Sequence, residues 1–62
     1  MTRLYTLVGR ARKKAKEYGE DWAVVEIDDA DDRVLTIMPL EDTRFEEFTA
    51  FDGRILEVVE AR

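Results

Sequence analysis

The stretch Arg10-Ala11-Arg12-Lys13-Lys14-Ala15-Lys16 places five cations in seven positions. That density suits contact with successive phosphates, because each phosphate neutralised by a side chain releases condensed counterion. Arg10, Arg12, Lys13, Lys14 and Lys16 are therefore the candidate anion or nucleic-acid contacts. The competing reading is the solvated side of a helix, with cations gathered toward the C-terminal half, where the backbone dipole favours positive charge. The solvated side is preferred for two reasons. No aromatic residue interleaves the run, and the rest of the chain is acidic: residues 1–19 hold six cations and one acid, residues 20–62 four cations and fourteen acids. A polyanion meeting the second part would be repelled over a Debye length of about 8–10 Å.

Residues 28–32 read DDADD, four carboxylates within five positions. A hard cation such as Ca²⁺ or Mg²⁺ wants oxygen ligands at alternate positions, and an EF-hand loop adds a Gly at its sixth place and a Glu at its twelfth. No register through Asp28 satisfies that code, so the stretch reads as an exposed turn and no metal is expected.

The remaining chemistry is limited by what the chain lacks. Ser, Asn, Gln, His and Cys are all absent. This removes hydroxyl and thiol nucleophiles of the usual kinds, imidazole bases, thiolate or imidazole metal sites and disulfides. Carboxylates, Lys, Tyr and Thr remain. Acid and base work by a carboxylate pair needs a cleft that raises one pKa, and 62 residues leave little volume for one. The expectation is a non-enzymatic protein with no catalytic residue and no cofactor.

A chain of this size buries only about 60% of its unfolded surface, so a single domain over residues 1–62 with one thin core is expected. Hydrophobic residues make up 45% of it and charged residues 40%, and the formal net charge is −5. No apolar run approaches the roughly 18 residues of a membrane span, and the N-terminal stretch lacks the order of a secretory signal. A cytoplasmic setting without membrane contact is expected.

Three elements would position these groups. Stepping about 100° per residue, Leu4, Leu7, Val8, Ala11, Ala15 and Tyr18 fall on one stripe that no charged residue enters. This predicts a helix over 2–18, capped by Thr2 and stopped by a left-handed Gly19. A strand over 3–8 followed by a helix over 10–18 is the rival, encouraged by Gly9 and by the β-forming TRLYTLV. It would make the shared stripe a coincidence. After Gly19 the period becomes two, giving strands over 22–28 and 33–38, with Pro39 ending the second by withholding a ladder donor.

Residues 40–62 support two readings. Asp52-Gly53 between β-rich arms is a strong hairpin signal, giving strands over 44–51 and 54–61 and a four-stranded antiparallel meander. Alternatively, Thr43 and Glu46 have capping-box spacing, Phe45, Phe48 and Phe51 recur every three residues, and Asp52-Gly53 ends a second short helix at 43–51 beside a three-stranded sheet. The meander is preferred, with a bulge near Glu46-Glu47 to absorb the Phe spacing. Either way the fold class is α+β, a helix packed on a small antiparallel sheet.

The strands are apolar on both faces: Trp22 and Val24 oppose Val25 and Ile27, and Leu56 and Val58 oppose Ile55 and Val59. One helix covers one face. Tight curling of the sheet, a second helix, or a partner must cover the other, and the partner is either a second copy of the chain or another protein. Trp22 itself reads as core or helix packing rather than a ligand anchor.

These features support a small scaffold or protein-binding module. The first alternative is an acidic inhibitor that imitates a phosphate backbone with Glu26, Asp42, Glu46, Glu47, Glu57 and Glu60; the second is nucleic-acid binding through the basic helix. The fifteen-letter alphabet, the helix close KKAKEYGED and the turn FDGR resemble the style of de novo designed or simplified-alphabet mini-proteins. That resemblance implies an idealised, non-catalytic α+β scaffold. Gly9, the irregular FEEF and the two-sided strands depart from ideal design practice and leave room for a sheet face with a job.

Overall fold

Leu4, Leu7, Val8, Ala11, Ala15 and Tyr18 share one helical face because helix α1 runs unbroken from Arg3 to Tyr18 in the computed structural model, which describes residues 3–61. The Thr2 cap lies outside the described residues. The stripe meets the sheet through its smallest members: Ala11 and Ala15 are buried, and Leu7 and Val8 flank them. Two alanines at the contact let the helix axis lie close to the strands. The C-terminus is closed as the sequence indicates, with Gly19 at φ +67° and its N–H donating to the Ala15 carbonyl at 2.9 Å.

Helix formation carries through Gly9, which is exposed and where an added Cβ meets no atom within 4 Å. Gly9→Ala therefore gains helix propensity without a clash and should raise stability by about 1 kcal/mol. A urea midpoint unchanged or lowered in this variant would contradict an unbroken helix.

Strands β1 (Trp22–Asp29), β2 (Asp32–Pro39) and β3 (Arg54–Val59) form a three-stranded antiparallel sheet in the order β2-β1-β3. β1 is central, and every described residue from Trp22 to Asp29 has a partner on β2, from Trp22 opposite Pro39 to Asp29 opposite Asp32. The turn between them consists of Ala30 and Asp31 at φ +49° and +73°. Both central residues of a type I′ hairpin need positive φ, the geometry that matches strand twist and that Asn-Gly adopts most readily. Ala and Asp occupy it at a cost. The double replacement Ala30→Asn with Asp31→Gly should stabilise the domain by about 1–2 kcal/mol in thermal or urea unfolding.

The segment that follows does not form the expected strand over 44–51. Pro39 ends β2, a 3₁₀ turn occupies Leu40–Arg44, and a short helix α2 occupies Glu46–Ala50. The sheet is accordingly three-stranded, and the meander gives way to a crossover that carries the chain from β2 on one edge to β3 on the other. The physical reason lies in how Asp52-Gly53 is used. Asp52 sits at φ +53°, its N–H donates to the Thr49 carbonyl at 2.9 Å, and the Gly53 N–H donates to the Phe48 carbonyl at 2.9 Å. These two bonds with a left-handed residue between them are a Schellman stop at the end of α2, not a hairpin turn. The capping box is not formed either: α2 begins after Phe45 with no side-chain cap, and the Thr43 hydroxyl donates to the Leu40 carbonyl at 2.7 Å, closing the 3₁₀ turn.

β3 carries the irregularity of the sheet. Val24 pairs with Glu57 while Val25 pairs with Ile55, so Leu56 is an extra residue and the ladder bulges there. The bulge changes which side chains share a face. Strict alternation places Ile55 with Val59, whereas the register sets Val59 beside Trp22, Val58 beside Ala23 and Ile55 beside Val25. Trp22, Val24, Ile37 and Val59 thus face α1. Ala23, Val25, Ile27, Met38, Ile55 and Val58 belong to the opposite face. Asp21 ties the start of β1 to both neighbours, its carbonyl accepting from Leu40 N at 2.9 Å and its carboxylate from Ala61 N at 3.0 Å.

Candidate functional site

The five cations of the basic stretch occupy α1, where Arg10, Arg12, Lys13 and Lys16 are exposed and Lys14 is half-buried. Lys14 leans over its neighbour one turn on, its Nζ 5.5 Å from the centre of the Tyr18 ring, and Tyr18 stacks on Trp22 at 6.0 Å and 19°. This Lys-Tyr-Trp ladder closes the end of the helix over the start of β1. Trp22 packs against the core formed by Ala11, Ala15, Val24 and Val59, and its indole N–H is sealed from solvent without a hydrogen-bond partner. Among the described residues, none of the five α1 cations belongs to an ion pair.

The carboxylates of the hairpin serve a different cation. Arg33 on β2 places Nη2 3.1 Å from Glu26 Oε1, and Nη1 lies 3.5 Å from Asp28 Oδ1 and 3.2 Å from Asp52 Oδ2. Nη1 also donates to the Asp52 carbonyl at 3.3 Å. One guanidinium therefore ties both strands of the hairpin to the close of α2, the kind of forked contact that Arg makes and Lys does not. The hydrogen bond to Glu26, together with the charges of Glu26, Asp28 and Asp52, outweighs desolvation and raises the Arg33 pKa above its ordinary value. Among the described residues there is no group of three or more carboxylates able to hold a metal ion.

The six carboxylates of the candidate phosphate-like row are divided by the sheet. Glu57 lines a groove on the α1 side with Val8 and Arg12, and Glu60 lies at the same groove. Glu26 is turned to Arg33. Asp42 and Glu47 line a hollow on the opposite face, and Glu46 opens α2.

That hollow is the feature the sequence reading did not assemble. Ile27 of β1, Met38 of β2 and Phe45, Phe48 and Phe51 around α2 enclose an open recess of about 280 Å³, with Asp42 and Glu47 on its rim. The recurrence of Phe every three residues was the available signal, since an i, i+3 pattern places side chains on one side of a helical turn. Phe48 is its anchor. An added Cβ on Gly53 would lie 2.5–2.6 Å from three atoms of the Phe48 ring, so the ring rests directly on the Gly53 backbone. Beneath this segment Ala23 and Val25 are completely buried. The 3₁₀ turn and α2 together thus cover part of the face left open by α1, but not all of it: Phe45 and Phe51 remain 55% and 51% exposed, and Ile55 and Val58 remain 43% and 42% exposed.

No helix among the described residues is long and apolar enough to cross a membrane. Comparison with protein-family models, with curated proteins and with solved structures finds no match. The chain is a small, cysteine-free α+β domain.

Proposed function

We propose that the chain is a non-enzymatic protein-binding module whose contact surface is the sheet face crossed by α2; its reduced alphabet supports a designed or simplified origin. The observation that carries this reading is the pair Phe45 and Phe51 at the recess, each about half exposed, with Ile55 and Val58 of β3 also left over 40% exposed. In so small a domain, aromatic side chains are the largest source of burial available. Half-exposed Phe residues around a recess are the usual anchors of a recognition surface rather than random surface apolars. An open recess of this volume accommodates one or two side chains of a partner, below the range typical of enclosed small-molecule sites. The absent His, Ser and Cys, together with the dispersal of the acids, support a binding role over catalysis.

Selection of peptides from a random displayed library against the native chain tests the reading. Selected peptides should lose binding to a Phe45→Ser, Phe51→Ser variant that unfolds like the parent. Peptides that bind this variant undiminished would refute it.

A second reading, nucleic-acid binding through α1, draws on the exposed Arg10, Arg12, Lys13 and Lys16 outside any ion pair among the described residues. It competes against the acidic balance of the chain. If it holds, duplex DNA binds at low salt, and each phosphate contact contributes roughly −0.9 to the slope of log affinity against log salt. Arg12→Ala, Lys13→Ala and Lys16→Ala together would then abolish binding. The proposed module predicts no DNA binding and no effect of these three changes on peptide binding.

A further inference from the structure

We infer, resting on the protein-binding reading above, that the occupant of this face is a cationic amphipathic segment of a partner protein. An apolar side chain of that segment enters the hollow, and Lys or Arg residues on either side of it meet the carboxylates of the rim. The composition of the recess specifies both halves of the ligand. Ile27, Met38 and Phe48 form a floor that only an apolar group can fill without losing hydrogen bonds to water. Asp42 and Glu47 stand on the same rim, and neither takes part in an ion pair among the described residues. Residues 40–53 as a whole carry Glu41, Asp42, Glu46, Glu47 and Asp52 against the single cation Arg44. An acidic partner is repelled here, and a neutral one strips water from two carboxylates without replacing it. The exposed faces of Phe45 and Phe51 add a further preference for cations, since a guanidinium or ammonium over an aromatic ring gains about 0.5–1 kcal/mol at an exposed site.

A second copy of the chain fits this description poorly. Six of its ten cations lie on α1, but Leu7, Val8, Ala11 and Ala15 face its own sheet and Tyr18 is stacked on Trp22, so a docking α1 offers only the exposed Leu4 and Tyr5 as apolar anchors. A separate amphipathic helix or strand, with one apolar side and basic flanks, supplies both.

The test uses the full chain and two peptides of equal length and identical Leu spacing, one with Lys and one with Glu at the polar positions, followed by calorimetry and by amide chemical shifts. The Lys peptide should bind and shift the amides of Ile27, Met38, Asp42, Phe48 and Phe51. Its affinity should fall by about tenfold in Asp42→Asn, Glu47→Gln, and by a similar factor when salt is raised well above physiological strength. Glu57→Gln, Glu60→Gln removes the same formal charge from the α1 side and should change affinity by less than about twofold. Equal affinity for the parent and the Asp42, Glu47 variant would overturn the inference. If the Glu peptide binds the same amides as tightly, the cationic preference is wrong while the docking face stands. If the Lys peptide shifts amides only away from the hollow, both are wrong. Sedimentation of the free chain completes the set: self-association abolished by Phe45→Ala would assign the face to a second copy and overturn the inference.

Discussion

Val24→Asp should leave the chain unfolded at room temperature, with loss of cooperative melting and of the near-ultraviolet signal of Trp22. Val24 lies at the middle of the central strand, paired on both sides and inaccessible to solvent, directly beneath Ala11 and Ala15 of α1. A carboxylate placed there has no cation or donor to meet it, and leaving a buried charge uncompensated costs about 3–5 kcal/mol or more. A domain of this length has a total stability of only about 3–9 kcal/mol. The matched variant Val58→Asp, on the edge strand at 42% exposure, should retain a folded spectrum and lose less than about 1 kcal/mol. Equal behaviour of the two variants would contradict the placement of β1 between its neighbours.

The second large effect concerns the crossover. Gly53→Ala should destabilise by about 1–3 kcal/mol, because the new methyl group would overlap three atoms of the half-buried Phe48 ring. Conformational freedom is not the issue, since Gly53 is not among the positive-φ residues. The steric origin makes a stricter expectation possible. In a Phe48→Ala background the ring is gone, and the same Gly53→Ala change should be close to neutral, so a double-mutant cycle should give a coupling of at least about 1 kcal/mol. Additive losses in the two variants would show that Phe48 does not rest on Gly53.

α1 was legible because its evidence was redundant: a charge-free stripe from Leu4 to Tyr18 and a Gly at the position of the left-handed stop. β1 and β2 were legible from period-two alternation and from Pro39. The crossover was not, because the local signals there are degenerate. Asp52-Gly53 supplies the positive φ needed by a hairpin and by a helix stop alike, and the choice depends on whether Phe48 can meet Ile27 and Met38 of the sheet. That is a long-range fact. The bulge at Leu56 is of the same kind, since it exists only relative to the register of β1. Of the candidate residues, the α1 cations lie off the apolar stripe, and Arg10, Arg12, Lys13 and Lys16 are exposed on the helix. The Phe45, Phe48, Phe51 spacing supports the alternative of a short helix within 43–51 beside a three-stranded sheet, which is the arrangement found, but local spacing does not reveal its convergence with Ile27 and Met38. The need for something to cover the second face was readable, and α2 meets it in part.

On the proposed function the working surface is the half-covered sheet face and not the basic helix. Amide chemical-shift mapping of a library-selected peptide bound to the native chain tests it most directly. Perturbations are expected over residues 42–51 together with Ile27, Met38, Ile55 and Val58, with the amides of Arg10 to Lys16 unmoved. Perturbations concentrated on Arg10 to Lys16, with Phe45, Phe48 and Phe51 silent, would contradict it.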